Sequence, residues 1–110
     1  MHLAQHRALG KGCPSVSAIG LGCTGMSAFY GPADDGESVA TIQMALERGV
    51  NLLNTGDFYG MGHNEMLVRR AIEGRRDRAF ISVKFGAQVG TDFEFVGFDA
   101  RPAAAKTALA

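Results

Sequence analysis

The sequence has no surplus of charge of either sign. Its 11 basic and 11 acidic residues give a formal net charge of zero at pH 7. Because a basic surplus is what attracts a protein to nucleic acid or to an anionic membrane surface, we expect neither as a partner. No stretch approaches the roughly 18 consecutive apolar residues that a membrane-spanning helix needs.

Cysteine is also scarce. Cys13 and Cys23 are the only two in the sequence, and their spacing matches neither a metal-ligand motif nor a disulfide framework. The first residues contain no apolar stretch of signal-peptide length. We therefore predict no metal site and a reduced, cytoplasmic setting.

What the sequence does contain is an alternation of strand and helix patterns. Short apolar runs predict strands at residues 16–21, 50–53 and 79–83, and two amphipathic segments between them predict helices. The 15 glycines suit a chain with many tight turns between such elements. The order βαβαβ predicts an α/β fold with a parallel sheet and right-handed crossovers.

Capping residues predict where the helices begin and end. Asp34, with Glu37 three residues later, has the spacing of a capping box at the start of the first helix, and Gly49 predicts its end. Asn64 predicts the N-cap of the second helix, and Gly74 predicts its end. We divide the chain into an N-terminal strand or hairpin (1–15), the βαβαβ unit (16–86), and a long loop with the start of a helix (87–110).

Polar side chains follow two of the predicted strands. Asn54, Thr55, Asp57 and Tyr59 come directly after the second strand, and Lys84 comes directly after the third. Enzymes with parallel sheets place their chemistry at the carboxyl ends of the strands. The sequence therefore predicts a functional site at this edge of the sheet.

Four spaced segments together resemble the N-terminal part of the aldo-keto reductase family. They are residues 19–27 (IGLGCTGMS), 29–32 (FYGP), 54–60 (NTGDFYG) with 64–65 (NE), and 83–86 (VKFG). The resemblance implies the first three or so βα units of a (β/α)8 barrel of the TIM type. It also implies NADPH as hydride donor and a small-molecule aldehyde or ketone, reduced to an alcohol, as substrate.

The resemblance also assigns roles to individual residues. Tyr59 corresponds to the family's catalytic acid and Lys84 to its partner, while Asn54 stands where the family has an aspartate that holds the lysine. Gly25 and Met26 match a segment near the nicotinamide ribose, and Asn54 also falls among the cofactor-binding positions. The family's catalytic histidine and its adenosine-phosphate clamp would follow residue 110.

These residue types suit carbonyl reduction. A phenol with a pKa near 10 is a poor proton donor at neutral pH, and a neighbouring ammonium lowers that pKa. Replacing the aspartate by Asn54 removes a negative charge, which favours the phenolate of Tyr59, but it weakens the anchoring of Lys84. We expect the loss of orientation to dominate, because misplaced catalytic groups cost large factors in rate. We do not expect Asp57 to replace the missing carboxylate.

Two other interpretations remain open at this point. The chain can be a catalytically inactive, truncated remnant, or one that only binds a ligand. Gly20, Gly22 and Gly25 also have the spacing of a Rossmann dinucleotide-binding motif, although that motif needs a helix opening at its third glycine. The sequence gives no indication of the oligomeric state.

Overall fold

The computed structural model describes residues 3–27, 31–92 and 94–109, and an antiparallel hairpin comes first. It consists of β1 (His6–Ala8) and β2 (Ser15–Ser17). The predicted strand at residues 16–21 is therefore wrong as one element, since its first two residues belong to β2 and its last residue, Leu21, begins a separate strand, β3 (Leu21–Gly22). The chain turns between the two strands, where the Ser17 hydroxyl donates to the carbonyl of Ile19 at 2.8 Å.

A three-stranded parallel sheet carries the rest of the fold. Helix α1 (Asp35–Glu47) connects β3 to β4 (Leu52–Gly56), and helix α2 (His63–Ile72) connects β4 to β5 (Phe80–Lys84). The strand order is β3-β4-β5, with both pairs parallel. The predicted βαβαβ alternation is confirmed, with β4 and β5 beginning one or two residues later than predicted.

The two helices begin differently. The Asp34 carboxylate accepts a hydrogen bond from the backbone N–H of Glu37 at 2.8 Å, as the capping box predicts. Helix α2 instead begins at His63 after Gly62, which has a φ of 96°. The predicted N-cap role of Asn64 is wrong, because this side chain lies inside the first turn and is fully buried.

The core lies between the helices and the parallel sheet. Helix α1 packs on α2, and α2 packs on β4. The buried cluster is made of apolar side chains from α1, α2 and β4 and from residues that flank the other strands: Cys23, Ile42, Leu46, Leu53, Val68, Ala71, Ile72 and Ala79. Burial of this cluster fixes which side of the sheet faces the helices, since apolar area removed from water contributes about 25 cal/mol per Å².

The segment after β5 differs from the predicted long loop. It forms a second antiparallel hairpin, with β6 (Ala87–Val89) and β7 (Phe95–Phe98). Helix α3 (Pro102–Leu109) follows, preceded by Asp99, whose carboxylate accepts from both the backbone and the guanidinium of Arg101. Glycine and charged residues in this segment hid the strand pattern, which is also interrupted by a bulge between Gln88 and Val89.

The glycine pattern after β3 does not open a helix. A single 3-10 turn, Thr24–Met26, occupies the position of Gly25, and α1 begins only at Asp35. The Rossmann interpretation is wrong for this reason. The motif residues Phe29 and Tyr30 lie outside the described residues.

In the described ranges, none of the helices combines the length and the hydrophobicity that crossing a bilayer would require.

Two positions on α1 test this assignment of the core. Ile42 is fully buried, whereas 51% of Met44 is exposed. Ile42→Ala should lower the free energy of unfolding by about 2–5 kcal/mol, because it leaves a cavity between α1 and the sheet. Met44→Ala should change it by less than about 0.5 kcal/mol. Urea denaturation followed by circular dichroism measures both, and equal losses for the two variants would contradict the packing described here.

Candidate active site

The parallel register brings the carboxyl ends of the three strands to one edge. Gly22 of β3 lies opposite Asn54 of β4, and Gly56 of β4 lies opposite Lys84 of β5. The turn after β4 is attached to the same edge, because the backbone N–H of Asp57 donates to the carbonyl of Lys84 at 3.0 Å. The predicted polar residues of two strands therefore meet in space.

Lys84 is surrounded by acceptors at this edge. Its ammonium donates to the Asn54 side-chain oxygen and to the Thr55 carbonyl at 3.2 Å. Its Nζ also lies 5.0 Å from the centre of the Tyr59 ring. The two acceptors and the ring together define the position of the ammonium.

Tyr59 lies in the turn between β4 and α2 and is 7% exposed. Its ring packs edge-to-face on Phe58, with the ring centres 4.7 Å apart. Burial alone would raise the pKa of Tyr59, but hydrogen bonds from Thr24 and Lys84, together with the Lys84 charge, outweigh burial and lower that pKa below its ordinary value. A phenol that is more acidic than usual is what a proton donor at neutral pH requires.

Asn54 takes the position at which a carboxylate would hold Lys84. Its amide oxygen provides an acceptor there but no charge. Neither ion pair found among the described residues joins Lys84 to Asp57, and one oxygen of Asp57, Oδ1, is buried without a hydrogen-bond partner among those residues. Asp57 therefore does not stand in for the missing carboxylate.

The two residues predicted to lie near the cofactor, Gly25 and Met26, sit in the 3-10 turn after β3. Both are partly buried, and Met26 packs against the core. The side chain of Thr24, the first residue of the same turn, is among the groups that lower the pKa of Tyr59.

Three residues at this edge were missed as site residues by the sequence interpretation: Thr24, Ser27 and Asn64. Asn64 donates to the carbonyl of Cys23 at 2.6 Å and to the Ser27 hydroxyl at 2.9 Å, and it accepts from Thr55 at 2.5 Å. All three belong to the segments that carry the family resemblance. The spacing of Ser27 and Asn64 along the chain, however, gives no sign that these two side chains meet.

His63 adds a second contact to the same turn. Its Nδ1 lies 2.8 Å from the Ser27 hydroxyl, and its Nε2 lies 3.0 Å from a carboxylate oxygen of Asp35 at the start of α1. A neutral imidazole with its proton on Nε2 satisfies both contacts. His63 therefore connects the turn after β3 to the start of α1.

The sequence profile of the Aldo/keto reductase family matches residues 18–107 of this chain. The NADP(+) aldo-keto reductase yakc of Schizosaccharomyces pombe is 38% identical over 77 residues, which cover 68% of this chain and 23% of that protein. The chain therefore spans about a quarter of the length of this curated relative.

Solved structures show the same relation. An aldo-keto reductase of Bacillus halodurans in its holo form superposes with a TM-score of 0.83 at 30% identity, over 98% of this chain and 34% of that one. The glycerol dehydrogenase of Gluconobacter oxydans gives a TM-score of 0.71 at 30% identity, over 86% of this chain and 30% of that one. These likenesses confirm the predicted fold class, the N-terminal portion of a (β/α)8 barrel. The chain belongs to the aldo/keto reductase family.

Proposed function

We propose that this chain carries the proton-donor side of a site that reduces aldehydes or ketones to alcohols with NADPH. The observation that carries the proposal is the contact between Lys84 and the buried phenol of Tyr59 at the carboxyl edge of the sheet. Small-molecule carbonyl compounds are the substrate class that this chemistry fits. Family membership supports the general activity.

The chemistry divides between cofactor and protein. NADPH, when bound, supplies a hydride with its electron pair to the carbonyl carbon. Tyr59 donates its proton to the carbonyl oxygen, on which negative charge develops. Lys84 stabilises the phenolate that remains, because its ammonium lies beside the Tyr59 ring.

The described residues fit the nicotinamide end of such a cofactor. A methyl group built on Gly22 would meet nothing within 4 Å among them, and the neighbouring Asn54 is exposed. This leaves open space above the strand ends, beside Lys84 and the turn that contains Gly25 and Met26. We assign Gly25, Met26 and Asn54 to the binding of this end. A related enzyme from Klebsiella pneumoniae was solved in complex with NADPH, with 30% identity and a TM-score of 0.57 over 66% of this chain and 25% of that one.

Asn54 favours a second candidate function, binding of the cofactor without turnover. The amide keeps Lys84 in contact with Tyr59, so the geometry of the pair is retained. Without a carboxylate, the ammonium is held by neutral acceptors alone, which are weaker partners than charged ones. The cytoplasmic setting stays a prediction.

The Tyr59–Lys84 pair can be tested by titration. Tyr30 and Tyr59 are the two tyrosines of the sequence, so in a Tyr30→Phe background the phenolate absorbance reports on Tyr59 alone. Lys84→Met should raise the pKa of Tyr59, because it removes a donor and a positive charge that favour the phenolate. Lys106→Met, on α3, should leave that pKa unchanged. An unaltered titration in Lys84→Met would remove the basis of the proposal.

Turnover tests the activity itself. Because neutral Asn54 anchors Lys84 less firmly than a carboxylate would, we expect the chain to oxidise NADPH only slowly when it is mixed with a panel of aldehydes. Tyr59→Phe should lower that rate by a further factor of about 10² through loss of the proton donor. Asn54→Asp should raise the rate, since a carboxylate anchors Lys84 more firmly. NADPH binding without oxidation in both the original chain and Asn54→Asp would favour the binding function instead.

A further inference from the structure

The turn Thr24–Met26, which contains two of the residues assigned to the cofactor, is held at both of its ends by one side chain. Cys23 precedes the turn and Ser27 follows it. The Nδ2 group of Asn64 donates to the carbonyl of Cys23 at 2.6 Å and to the hydroxyl of Ser27 at 2.9 Å. Both N–H bonds of the amide are thereby used, and Asn64 is fully buried.

The same amide connects the turn to the end of β4. The Oδ1 atom of Asn64 accepts from the hydroxyl of Thr55 at 2.5 Å, and Thr55 is itself buried. The backbone carbonyl of Thr55 accepts from the ammonium of Lys84 at 3.2 Å. One residue therefore separates the amide of Asn64 from the ammonium of Lys84.

The backbone of Asn64 reaches the third part of the site, the turn that contains Tyr59. Its N–H donates to the carbonyl of Tyr59 at 3.3 Å. Gly60 follows with a φ of 63°, and a methyl group built on it would lie 3.2 Å from the Cβ atom of Ser27. Because Gly60 has no side chain, the turn after β3 can lie directly against the turn that contains Tyr59.

The three side-chain partners of Asn64 require a carboxamide. The carbonyl of Cys23 and the hydroxyl of Ser27 accept hydrogen bonds from it, and the hydroxyl of Thr55 donates one. Asparagine provides two donors and one acceptor in this arrangement, whereas an ionised aspartate provides no donor and leucine provides neither kind of group. Since an unpaired buried polar group is costly, these partners give the amide one orientation.

We propose that Asn64 is a positioning residue of this site, which holds the turn Thr24–Met26 at a set distance from Tyr59 and Lys84. The inference rests on the proposed function in taking this turn as part of the binding site for the nicotinamide end of NADPH. Hydride and proton go to neighbouring atoms of one carbonyl group, so the cofactor and the acid have to keep a fixed separation. In this role Asn64 touches neither reactant and acts through the turn.

Hydrogen exchange tests whether the amide holds the turn. The backbone N–H groups of Met26 and Ser27 donate to the carbonyls of Cys23 and Thr24, each at 3.1 Å. Asn64→Leu keeps the branched shape and removes every polar atom of the side chain. The two N–H groups should then exchange about 10-fold faster, the effect of about one lost hydrogen bond. Nuclear magnetic resonance measures these amides one by one in the full chain.

Cofactor binding tests whether the position of the turn matters to the site. Asn64→Leu should weaken the binding of NADPH, measured by nicotinamide fluorescence, by about 10-fold. Ser27→Ala removes one of the two contacts between the amide and the turn, so it should weaken binding less. The factor for the double variant should be smaller than the product of the two single factors, because both changes remove the same contact. At saturating NADPH, any turnover by Asn64→Leu should stay below that of the original chain.

A matched control separates positioning from stability. Asn51 lies just before β4, where its side-chain oxygen accepts from the backbone N–H of Ser17 at 2.7 Å. Asn51→Ala should destabilise the chain, since it leaves that N–H without its partner. The affinity for NADPH should nevertheless stay at its original value, because this contact lies at the other end of β4. An equal loss of affinity in Asn51→Ala and Asn64→Leu would contradict a specific role for Asn64.

Two further results would overturn the proposal. Unchanged exchange of the Met26 and Ser27 amides in Asn64→Leu would show that the side chain does not hold the turn. Faster exchange with unchanged NADPH affinity would show that the position of the turn does not matter to the cofactor. If Asn64→Leu fails to fold, Ser27→Ala takes its place in both measurements. An original chain that binds no NADPH would contradict the proposed function, and the exchange measurement alone would then decide whether Asn64 holds the turn.

Discussion

The parallel register of β4 and β5 is the constraint on which the site depends. It sets Gly56 opposite Lys84, so the ammonium emerges beside the oxygen atoms that end β4 and above the ring of Tyr59. A slip of one residue would turn the side chain of Lys84 to the other face of the sheet. The buried side chains of Leu53 and Ile42 prevent that slip, because it would expose the apolar face of β4 to water.

Burial and the neighbouring polar groups have opposite effects on the pKa of Tyr59. Desolvation favours the neutral phenol, whereas Lys84 and Thr24 favour the phenolate, and the net result is a pKa below the ordinary value. An aspartate at position 54 would neutralise part of the lysine charge while holding it in place. Asn54 keeps the contact with Lys84, but because it carries no charge the full positive charge of the lysine acts on the phenol. The site thus retains the contact between Lys84 and Tyr59 while its electrostatic balance is altered.

The buried amide of Asn64 couples two parts of the site that are far apart in sequence. Asn64 joins the carbonyl of Cys23, which lies 41 positions before it, to the hydroxyl of Thr55, which lies 9 positions before it. Each polar atom of this network has a partner, so the cost of burying it is offset by hydrogen bonds. The bridge from Ser27 through His63 to Asp35 extends the network to α1.

The sequence by itself determined the βαβαβ order of the central elements and the cap at Asp34, and it singled out Tyr59 and Lys84 as candidate site residues. Hydrophobic periodicity, local capping and short motifs are all encoded in neighbouring residues. The sequence did not reveal the hairpin after β5, where glycine and charge mask the alternation, or the true position of Asn64, which a local rule assigned to a cap. Only the tertiary structure decided that Lys84 meets the Tyr59 ring and that Asn64 holds the turn after β3. A contact between residues 41 positions apart, such as that of Asn64 with Cys23, depends on how helices and sheet pack, and packing is a property of the whole chain.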